Sequence, residues 1–391
     1  MKIGNFTCNY RPLLSGPTTS IDAFSEEFRK LGHEVYIFAP WHPDQEDDGY
    51  VFRYPSIPAF VSPRFRLPIT FSPRVDGIAR EIRLDLIHAH HPWLLGPHGA
   101  DLAKKLGIPL VFTHHSIYEN FYHYVPLPKS VVRWCSIQRS ISFANKSDLV
   151  IVPTRSVYEL VMARGVRAKV EILPTGLDLS RFQDLNPQAV RDRYGISGDK
   201  KLVLYLGRMS REKGVDFILR SFHYLLTRRK DVLLMLTGDL ENREIPDLID
   251  ELDIGRYVIL TGGVSYDEIQ HYYAAANVFA FASYGETQGL VLVEAMGAGT
   301  PVVAVDAIGV RDLVQSGSNG FLAPRDATVF NERIEAILDN QELHQRLSQG
   351  GLKTSQLYSI DHLAKRMLEL YGELIEERKA ADGAPGCNTL V

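Results

Sequence analysis

Short apolar segments alternate with amphipathic helical segments along most of this chain, and that alternation restricts the possible folds more than any other feature of the sequence. A buried parallel strand reads as a short apolar run, whereas a helix that covers a sheet has apolar residues every three or four positions. The two patterns alternate from Ile3 to Ala163 and again from Leu202 to Val305. They predict an α/β protein with two separate, doubly wound parallel sheets.

The expected elements fall into two series. In the first, strands are expected at 3–8, 35–39, 84–88, 109–112 and 149–152, and helices near 21–31, 99–106 and 156–163. In the second, strands are expected at 202–206, 232–237, 258–261, 278–282 and 301–305, and helices at 215–226, 245–252, 267–275 and 289–296. Leu173-Pro174-Thr175-Gly176 lies between the series and predicts a hinge, because Pro and Gly interrupt regular structure.

The length of 391 residues suggests two domains, at roughly 100–200 residues per domain. We predict an N-terminal Rossmann-like domain at 1–175 and a C-terminal one at 176–358. A last helix at 359–379 has one apolar face and is expected to pack back on the N-terminal domain, and 380–391 is expected to be a flexible tail. That face consists of Leu363, Met367, Leu370 and Leu374.

Composition excludes several classes of protein. The net charge of −4 does not fit a generally basic nucleic-acid-binding protein, although residues 1–175 carry +4 and the remainder −8. Cysteine occurs only three times, which excludes a disulfide scaffold and favours a reducing, cytoplasmic setting. We expect neither a membrane-spanning helix nor a signal peptide, since no apolar run is long enough and the first residues are too polar.

Two glutamates flank a predicted helix in the second series. Glu286 precedes the helix and Glu294 lies eight residues later, near its far end, so the two are expected about 12 Å apart along the axis. Free backbone N–H groups at the helix start would favour an anion such as a diphosphate between them. The alternative is a capped helix with two surface glutamates.

Two cations follow the first strand of the same series. Arg208 comes directly after Gly207, and Lys213 follows in the same loop. The carboxyl ends of parallel strands are where α/β sheets bind ligands, so these cations could neutralise a departing diphosphate. The alternative is a solvated basic loop.

Histidines crowd the corresponding edge of the first sheet. They lie in the segments 87–92 and 112–116, each of which follows a predicted strand. A zinc site and hydrogen-bonded, partly buried imidazoles are both compatible with this pattern. Gly16 lies before the first helix, where the absence of a Cβ would let a phosphate or an acceptor approach the backbone.

The Arg/Lys loop together with the E-x7-E pair resembles the retaining glycosyltransferases of family four. These enzymes have the GT-B fold, in which two Rossmann-like domains face each other across a cleft. The resemblance extends from residue 2 to about residue 371. It implies that the C-terminal domain binds the nucleotide-sugar donor and the N-terminal domain binds the acceptor.

The family's roles transfer to matching positions. The resemblance implies catalytic roles for Glu286, Arg208 and Lys213, with Glu294 contacting ribose. It also implies that a histidine after the predicted strand at 109–112, taken here as His114, reaches the reacting sugar, which makes a zinc site less favoured. The remaining donor-binding candidates are Gly16, Gly207, Thr287, Gln288, Gly289 and Leu290.

No metal and no cofactor are expected. The Asp-x-Asp triplet with which another class of transferases holds a divalent cation is absent after any predicted strand, and the Arg/Lys pair can supply the charge. The G-x-G-x-x-G fingerprint of a nicotinamide-binding enzyme is also absent.

Two stretches combine basic and aromatic residues without acidic ones, at 51–75 and between Glu119 and Asp148. Such a composition suits an anionic membrane surface, a basic substrate cleft or, with no supporting motif, single-stranded nucleic acid. We expect no nucleic-acid partner. The candidates for the acceptor or membrane side are His88, His90, Tyr118, Tyr122, Lys129, Arg133 and Trp134.

The segments 113–119, 122–124 and 286–289 are similar to those of the diacylglycerol glucosyltransferase branch of the family. This resemblance implies a retaining transfer of glucose from UDP-glucose to a glycerolipid, by an enzyme that is cytoplasmic or peripheral at the inner face of the cell membrane. Transfer to a soluble sugar or sugar phosphate stays open. So do a nucleotide-sugar epimerase or hydrolase and a non-catalytic nucleotide-sugar-binding protein.

Overall fold

The computed structural model describes residues 1–13, 15–45, 48–59, 65–120, 127–240 and 243–383. The chain forms two compact units. The first unit comprises Met1–Gly176 and the chain from Ile360 onward, and the second comprises Leu177–Ser359. The change of unit between Gly176 and Leu177 lies next to the expected hinge at 173–176.

The first unit is built on a seven-stranded parallel sheet with the order β3-β2-β1-β6-β7-β8-β9. Its strands are β1 (Lys2–Phe6), β2 (Glu34–Pro40), β3 (Val51–Tyr54), β6 (Leu86–Ala89), β7 (Leu110–Thr113), β8 (Leu149–Val152) and β9 (Lys169–Ile172). A separate antiparallel hairpin joins β4 (Ser56–Pro58) to β5 (Arg66–Pro68). Its helices are α1 (Gly16–Lys30), α2 (Pro73–Ile82), α3 (Leu95–Leu106), α4 (Lys129–Ala144), α5 (Arg155–Ala163) and α13 (Ile360–Gly383).

The second unit is built on a six-stranded parallel sheet with the order β12-β11-β10-β13-β14-β15. Its strands are β10 (Lys201–Leu206), β11 (Val232–Thr237), β12 (Val258–Gly262), β13 (Val278–Phe281), β14 (Val302–Val305) and β15 (Gly320–Ala323). Its helices are α6 (Pro187–Arg193), α7 (Val215–Leu226), α8 (Glu244–Glu251), α9 (Ile269–Ala275), α10 (Leu290–Gly297), α11 (Ala327–Asp339) and α12 (Gln341–Gln356).

These two sheets confirm the predicted fold class of doubly wound α/β units. In each of them the strand order reverses direction along the chain at the first strand, β1 in one and β10 in the other. Ligands of such sheets bind at the carboxyl edge beside this switch point. The candidate residues after β1, β6, β7, β10 and β13 therefore lie at the edges where a binding site is expected.

The last helix belongs to the core of the first unit. The apolar face of α13 is buried against Phe24 and Phe28 of α1, and Ile360 at its start contacts Gly176 so closely that a Cβ on that glycine would lie 2.6 Å from the Ile360 Cα. Burying this apolar stripe contributes more to holding the helix than its intrinsic propensity does.

Several elements were not expected from the sequence. The strands β3, β9 and β15 lie at or near the edges of the sheets, and α4 occupies part of the basic and aromatic stretch before Asp148. Among the described residues, none of the helices has both the length and the apolar character required to cross a bilayer.

Candidate active site

Glycine conformations shape the cation-bearing loop after β10. Gly207 has φ +146°, which only glycine adopts readily, and the Tyr205 hydroxyl donates a 2.7 Å hydrogen bond to the Arg208 carbonyl oxygen. A Cβ on Gly238, in the neighbouring loop after β11, would lie 2.0 Å from the Gly207 carbonyl oxygen. The two loops therefore touch backbone to backbone, which holds the Arg208 backbone at the sheet edge.

Both cations of this loop have carboxylate partners. The Lys213 Nζ lies 2.5 Å from Oε1 of Glu286, and Arg208 Nη2 lies 3.3 Å from Oε1 of Glu212. The structure thus brings Lys213 and Glu286 together although they are 73 residues apart. The four formal charges cancel. An incoming diphosphate would therefore have to displace the two carboxylates from these cations. The sequence analysis missed Glu212. Its position four residues after Arg208 could have indicated this ion pair.

Glu286 stays ionised in its partly buried position. Burial alone would raise the pKa of its carboxyl group, but the Lys213 ammonium, the Ser283 hydroxyl and the charge of Arg208 together hold that pKa below its ordinary value. An ionised carboxylate accepts hydrogen bonds and donates none. Glu286 can therefore accept hydrogen bonds from sugar hydroxyls at neutral pH.

The helix between the two glutamates begins within one residue of its expected start at 289. Gly289 has φ +75° and precedes the first helical residue, Leu290, so Glu286 lies in a loop four residues before α10. Only the four steps from Leu290 to Glu294 rise helically, about 6 Å. The estimate of about 12 Å loses its basis, because it treated all eight steps between the glutamates as helical.

The loop that precedes α10 is tightly supported. Thr287 and Gln288 are buried and have interaction partners in the structure. A Cβ on Gly309 would lie 2.6 Å from the Thr287 carbonyl group, so the loop after β14 presses directly against this backbone. These contacts predispose the start of α10 to a single conformation.

Glu294 lies in the interior of the second unit. Its Oε2 accepts a 2.7 Å hydrogen bond from the hydroxyl of Tyr273, a residue of α9. Burial raises the pKa of Glu294 above its ordinary value, although the Tyr273 hydroxyl and the charge of Arg181 oppose this. Arg181 also stacks on the Tyr266 ring, with its Cζ 3.8 Å from the ring centroid. The alternative of a simple surface glutamate therefore does not hold for Glu294, which is 3% exposed.

Gly16 is the first residue of α1 in the other unit. The preceding Ser15 caps this helix by accepting a 3.3 Å hydrogen bond from the Thr18 N–H. A Cβ on Gly16 would meet nothing within 4 Å. There is consequently open space at this helix start for a ligand group, and the glycine is not required by the protein's own contacts.

His88 and His90 do not lie on a membrane-facing surface. Both are buried, and the two ring nitrogens of His88 lie 2.6 Å from the hydroxyls of Tyr371 and Thr113. His90 is bonded in the same way to Asn5 and His115. Hydrogen bonds from neighbouring strands and from α13 hold both rings inside the unit, so neither ring faces a membrane, and their predicted place on the acceptor side stays a prediction.

His114 is also an interior residue. It is 3% exposed, its Nε2 lies 3.0 Å from the Ser140 hydroxyl on α4, and burial lowers its pKa to about 4. The adjacent His115 is only half-buried. Consecutive residues at a strand end point to opposite sides, so only one of the two faces the ligand edge. His115 is the more exposed of the two, and the predicted role of His114 stays a prediction.

Tyr118 completes this part of the first unit. It is buried, its ring lies edge-on to Trp93 and His114 with centroids 4.6 and 5.2 Å away, and its hydroxyl has no hydrogen-bond partner among the described residues. Burial raises the pKa of this hydroxyl. Tyr118 therefore contributes to a buried aromatic wall and not to a membrane surface. Tyr122 lies outside the described residues.

The first turns of α4, together with Leu127 two residues before the helix, expose apolar and basic side chains. We call this set the α4 face. Leu127, Val131 and Trp134 are 59%, 46% and 63% exposed, and the exposed Lys129 and Arg133 alternate with them. Lys129, Arg133 and Trp134 are thus at the surface, as an interfacial role requires.

The β4–β5 hairpin exposes a second apolar surface, which we call the hairpin face. Ile57 and Leu67 are directly opposed across the hairpin. With Phe65, Ile69 and Phe71 they are between 38% and 80% exposed, whereas the intervening Pro68 is buried. In a half-buried sheet the apolar side chains usually face the core. In this hairpin they face solvent instead. Contiguous exposed apolar patches of this kind mark interaction sites.

The histidine clusters are not arranged for metal binding. In the ranges that the structure describes, no group of three or more His, Cys, Asp or Glu side chains is placed to hold a metal ion. The rings are instead paired with hydroxyls, an amide and each other, which is the hydrogen-bonded alternative set out from the sequence.

Two parallel α/β units, with an Arg/Lys loop that contacts Glu286 in the second, are the architecture of a class of protein, the glycosyltransferases with the GT-B fold. The family model described as Glycosyltransferase Family 4 matches residues 14–181, and that described as Glycosyl transferases group 1 matches residues 187–354. The resemblance drawn from the motifs is thereby confirmed.

Curated relatives and solved structures agree with this class. An alpha-monoglucosyldiacylglycerol synthase of Streptococcus pneumoniae is 30% identical over 96% of this chain and 86% of its own length, and one of Acholeplasma laidlawii is 29% identical over 96% and 98%. The chain therefore belongs to glycosyltransferase family 4.

Two solved structures share the fold. Sucrose-phosphate synthase from Thermosynechococcus elongatus matches with a TM-score of 0.81 at 23% identity, over 96% of this chain and 99% of that one. Anabaena Alr3699/HepE in complex with UDP-glucose matches with a TM-score of 0.78 at 21% identity, over 96% and 100%.

Proposed function

We propose that this glycosyltransferase moves glucose from UDP-glucose to a hydroxyl of a glycerolipid such as diacylglycerol, with retention at the anomeric carbon and without a metal ion. The contact between Lys213 and the ionised Glu286 carries the proposal. It supports the proposal because it brings a carboxylate, suited to sugar hydroxyls, and a cation, suited to a diphosphate, together beside the loop that precedes α10 in the second unit.

The second unit supplies the donor-binding groups. Glu286 would accept hydrogen bonds from the hexose hydroxyls, while Arg208, Lys213 and the start of α10 would contact the diphosphate. Glu294 would bind the ribose, held in position by Tyr273. The solved relative with UDP-glucose bound supports this choice of donor, and the anion-binding character of a helix start supports the placement of the diphosphate.

The chemical step breaks the bond between the anomeric carbon and the diphosphate oxygen and forms a bond from that carbon to the acceptor oxygen on the same face. The acceptor's proton passes to an oxygen of the departing UDP. Retention by this route needs no protein nucleophile, in keeping with the family resemblance. The negative charge that develops on the diphosphate is stabilised by Arg208 and Lys213, which is why no metal ion is required.

The first unit would face the reacting sugar through a histidine. The sequence pointed to His114, but the exposure of the two rings favours His115 for this contact. Gly16 leaves open space at the start of α1, where an acceptor or a phosphate oxygen could approach backbone N–H groups.

The lipid acceptor is supported by the two diacylglycerol-linked relatives and by the exposed surfaces of the first unit. The α4 face combines a tryptophan with two cations, and the hairpin face is apolar. Aromatic side chains suit the headgroup layer, and each cation near an anionic lipid surface contributes about 1 kcal/mol. We propose that the enzyme binds peripherally to an anionic membrane through these faces.

The test is UDP release from UDP-glucose by the full chain, with and without anionic vesicles that contain diacylglycerol. Release that depends on diacylglycerol, with the α-glucosyl lipid as product, is the expected result. GDP- and ADP-glucose in parallel test the nucleotide, and addition of EDTA tests metal independence. The Lys213→Ala variant serves as the catalytically impaired control.

A second candidate function is transfer to a soluble sugar or sugar phosphate, as in the sucrose-phosphate synthase that shares this fold. UDP release that responds to soluble acceptors and ignores vesicles would establish it in place of the lipid reaction. Release without any acceptor would indicate hydrolysis. UDP-glucose binding with no turnover under any condition would identify a non-catalytic binding protein.

A further inference from the structure

The two ion pairs of the loop after β10 differ in how firmly they are made. The Lys213 ammonium donates a 2.5 Å hydrogen bond to Oε1 of Glu286. Arg208 Nη2 lies 3.3 Å from Oε1 of Glu212, yet that oxygen is buried and makes no hydrogen bond with any residue that the structure describes. The first pair is a charge-assisted hydrogen bond, whereas the second is a close approach of two charges without one.

The loop backbone holds Glu212 in place independently of its carboxylate. Glu212 is the middle residue of a short 3₁₀ turn, and the N–H of Lys213 donates a 3.1 Å hydrogen bond to the Ser210 carbonyl oxygen. The Ser283 hydroxyl donates a 3.4 Å hydrogen bond to the Glu212 carbonyl oxygen from the loop after β13. The Glu212 side chain can therefore turn away from Arg208 while the loop keeps its conformation.

The cation of the weaker pair is accessible from solvent. The Arg208 side chain is 40% exposed, whereas that of Glu212 is 16% exposed. An anion can therefore reach the guanidinium without opening the loop. A guanidinium carries several N–H donors in a fixed fork, so a phosphate group can form with Arg208 the paired hydrogen bonds that the contact with Glu212 lacks.

We propose that Glu212 is an internal counter-ion of Arg208, which the diphosphate of the donor replaces and which takes the cation back when UDP leaves. This inference rests on the proposed function, because it concerns the same diphosphate site in the second unit. Of the two carboxylates that face the cations, Glu212 is the more easily displaced, since its contact includes no hydrogen bond. Glu212 acts through Arg208 and does not need to touch the substrate.

The exchange keeps the cation paired throughout a catalytic cycle. A guanidinium without an anion in a partly buried site is an uncompensated charge, which is unfavourable. The Glu212 carboxylate supplies a partner when UDP is absent, and its negative charge opposes the return of the diphosphate. Glu212 therefore weakens the affinity for UDP and speeds its release, and product release limits turnover in many enzymes.

Two substitutions at Glu212 test the direction of this effect. Glu212→Gln keeps the length of the side chain and removes its charge, and Glu212→Ala removes the carboxyl group entirely. We expect both variants to bind UDP about fivefold more tightly and to release it about fivefold more slowly, the size of a partly exposed ion pair. Calorimetric titration of the full chain measures the affinity, and stopped-flow displacement measures the release rate. A glutamate that merely held Arg208 in place would give unchanged or weaker UDP binding when replaced, and either result would overturn the inference.

A double-mutant cycle shows whether the effect runs through Arg208. In the Arg208→Ala background, Glu212→Gln should leave the UDP affinity unchanged, because there is no guanidinium left to compete for. Tighter binding by the same factor in that background would mean that Glu212 repels the diphosphate directly, and it would overturn the exchange. Glu251→Gln is the matched control, since Glu251 faces Arg220 at 3.6 Å in an exposed ion pair of the same unit and should change neither affinity nor release rate.

The choice of nucleotide separates this inference from the proposed function. Wild-type protein that binds UDP, with no tighter binding in Glu212→Gln, would overturn the exchange and leave the glucosyltransferase proposal intact. Binding of GDP or ADP in place of UDP would change the proposed donor, and tighter binding of that nucleotide by Glu212→Gln would support the exchange. Absence of binding for all three nucleotides would overturn both. Circular dichroism verifies the fold of each variant, and Glu212→Gln carries the test if Glu212→Ala does not fold.

Discussion

The candidate site of the second unit is built from charges, whereas that of the first unit is built from neutral polar groups. Arg208 and Lys213 each face a carboxylate, and Glu286 stays ionised despite burial because of the Lys213 ammonium. His88, His90 and His114 of the first unit are buried among hydroxyl, amide and imidazole partners, and burial lowers their pKa values.

The difference fits the roles proposed for the two units. A diphosphate is charged and gains charge as it leaves, so fixed cations stabilise it most where water is scarce. A sugar or lipid hydroxyl is neutral and needs correctly oriented donors and acceptors. The second unit should therefore respond most to the removal of charge, and the first to changes of protonation and of surface.

The largest effect is expected from the cations. Lys213→Ala and Arg208→Ala should each lower kcat/KM on the order of 10²–10³-fold, because the developing charge on the leaving diphosphate loses its partner. Steady-state UDP release measures this. Arg220→Ala is the matched control, since Arg220 pairs with Glu251 on the exposed side of α7 at 3.6 Å. Losses below tenfold in both site variants would overturn their assignment.

Acidification should lower the stability of the first unit more than that of the second. The folded pKa is about 3 for His88 and about 4 for His114, below the unfolded value of 6.5, so the unfolded chain binds more protons from about pH 6.5 down to those values. Stability of the first unit is thus complete above pH 6.5 and falls on acidification, on the order of 2 kcal/mol per buried histidine at about pH 5.

The second unit has a different balance. Burial raises the pKa of Glu294, so its protonation on acidification favours the folded state, and Glu286 with its lowered pKa loses no stabilisation until the pH falls below about 4.5. Hydrogen exchange of the full chain at about pH 7 and about pH 5, corrected for the intrinsic exchange rates, should therefore show β6 and β7 opening about 30-fold more often for each buried histidine that the opening exposes, and β10 and β11 little changed. Equal changes in both sheets would contradict the comparison.

A smaller effect, on UDP binding, is expected when the hydrogen bond that holds Glu294 is removed. Tyr273→Phe removes the 2.7 Å hydrogen bond to this buried carboxylate and should weaken UDP binding about fivefold to tenfold. Calorimetric titration with UDP is the measurement, and Tyr224→Phe on the exposed side of α7 is the control. Unchanged affinity would show that Glu294 does not contact the nucleotide through this orientation.

The smallest effects are expected at the exposed faces of the first unit. Trp134→Ala on the α4 face and Phe71→Ala on the hairpin face should each reduce binding to anionic vesicles about threefold, since each removes one side chain from a larger contact. Leu357→Ala is the control, because Leu357 is 71% exposed in the second unit. Sedimentation with vesicles measures the bound fraction, and an equal reduction in the control would remove the assigned membrane role.

Much of the fold could be predicted because its signals are local. The alternation of apolar runs and amphipathic segments marks the central strands and most helices, and these are the elements whose side chains are buried. Strands β3 and β9 escaped because charged residues interrupt their apolar runs, Arg53 in β3 and Lys169 and Glu171 in β9. Helix α4 escaped because Val131, Trp134 and Cys135 are exposed, so its apolar residues do not all lie on one buried face.

The two α/β series, the family and the charged residues of one sheet edge could be predicted from the amino-acid order, because strand and helix periodicity and the short motifs that contain Arg208, Lys213, Glu286 and Glu294 are local properties. The partners of these residues became known from the folded chain. Glu212 and Glu286 pair with the cations, and His115 is more exposed than His114. Burial and pKa could not be predicted in this way, since they depend on contacts between distant parts of the chain, such as Asn5 with His90, 85 residues apart.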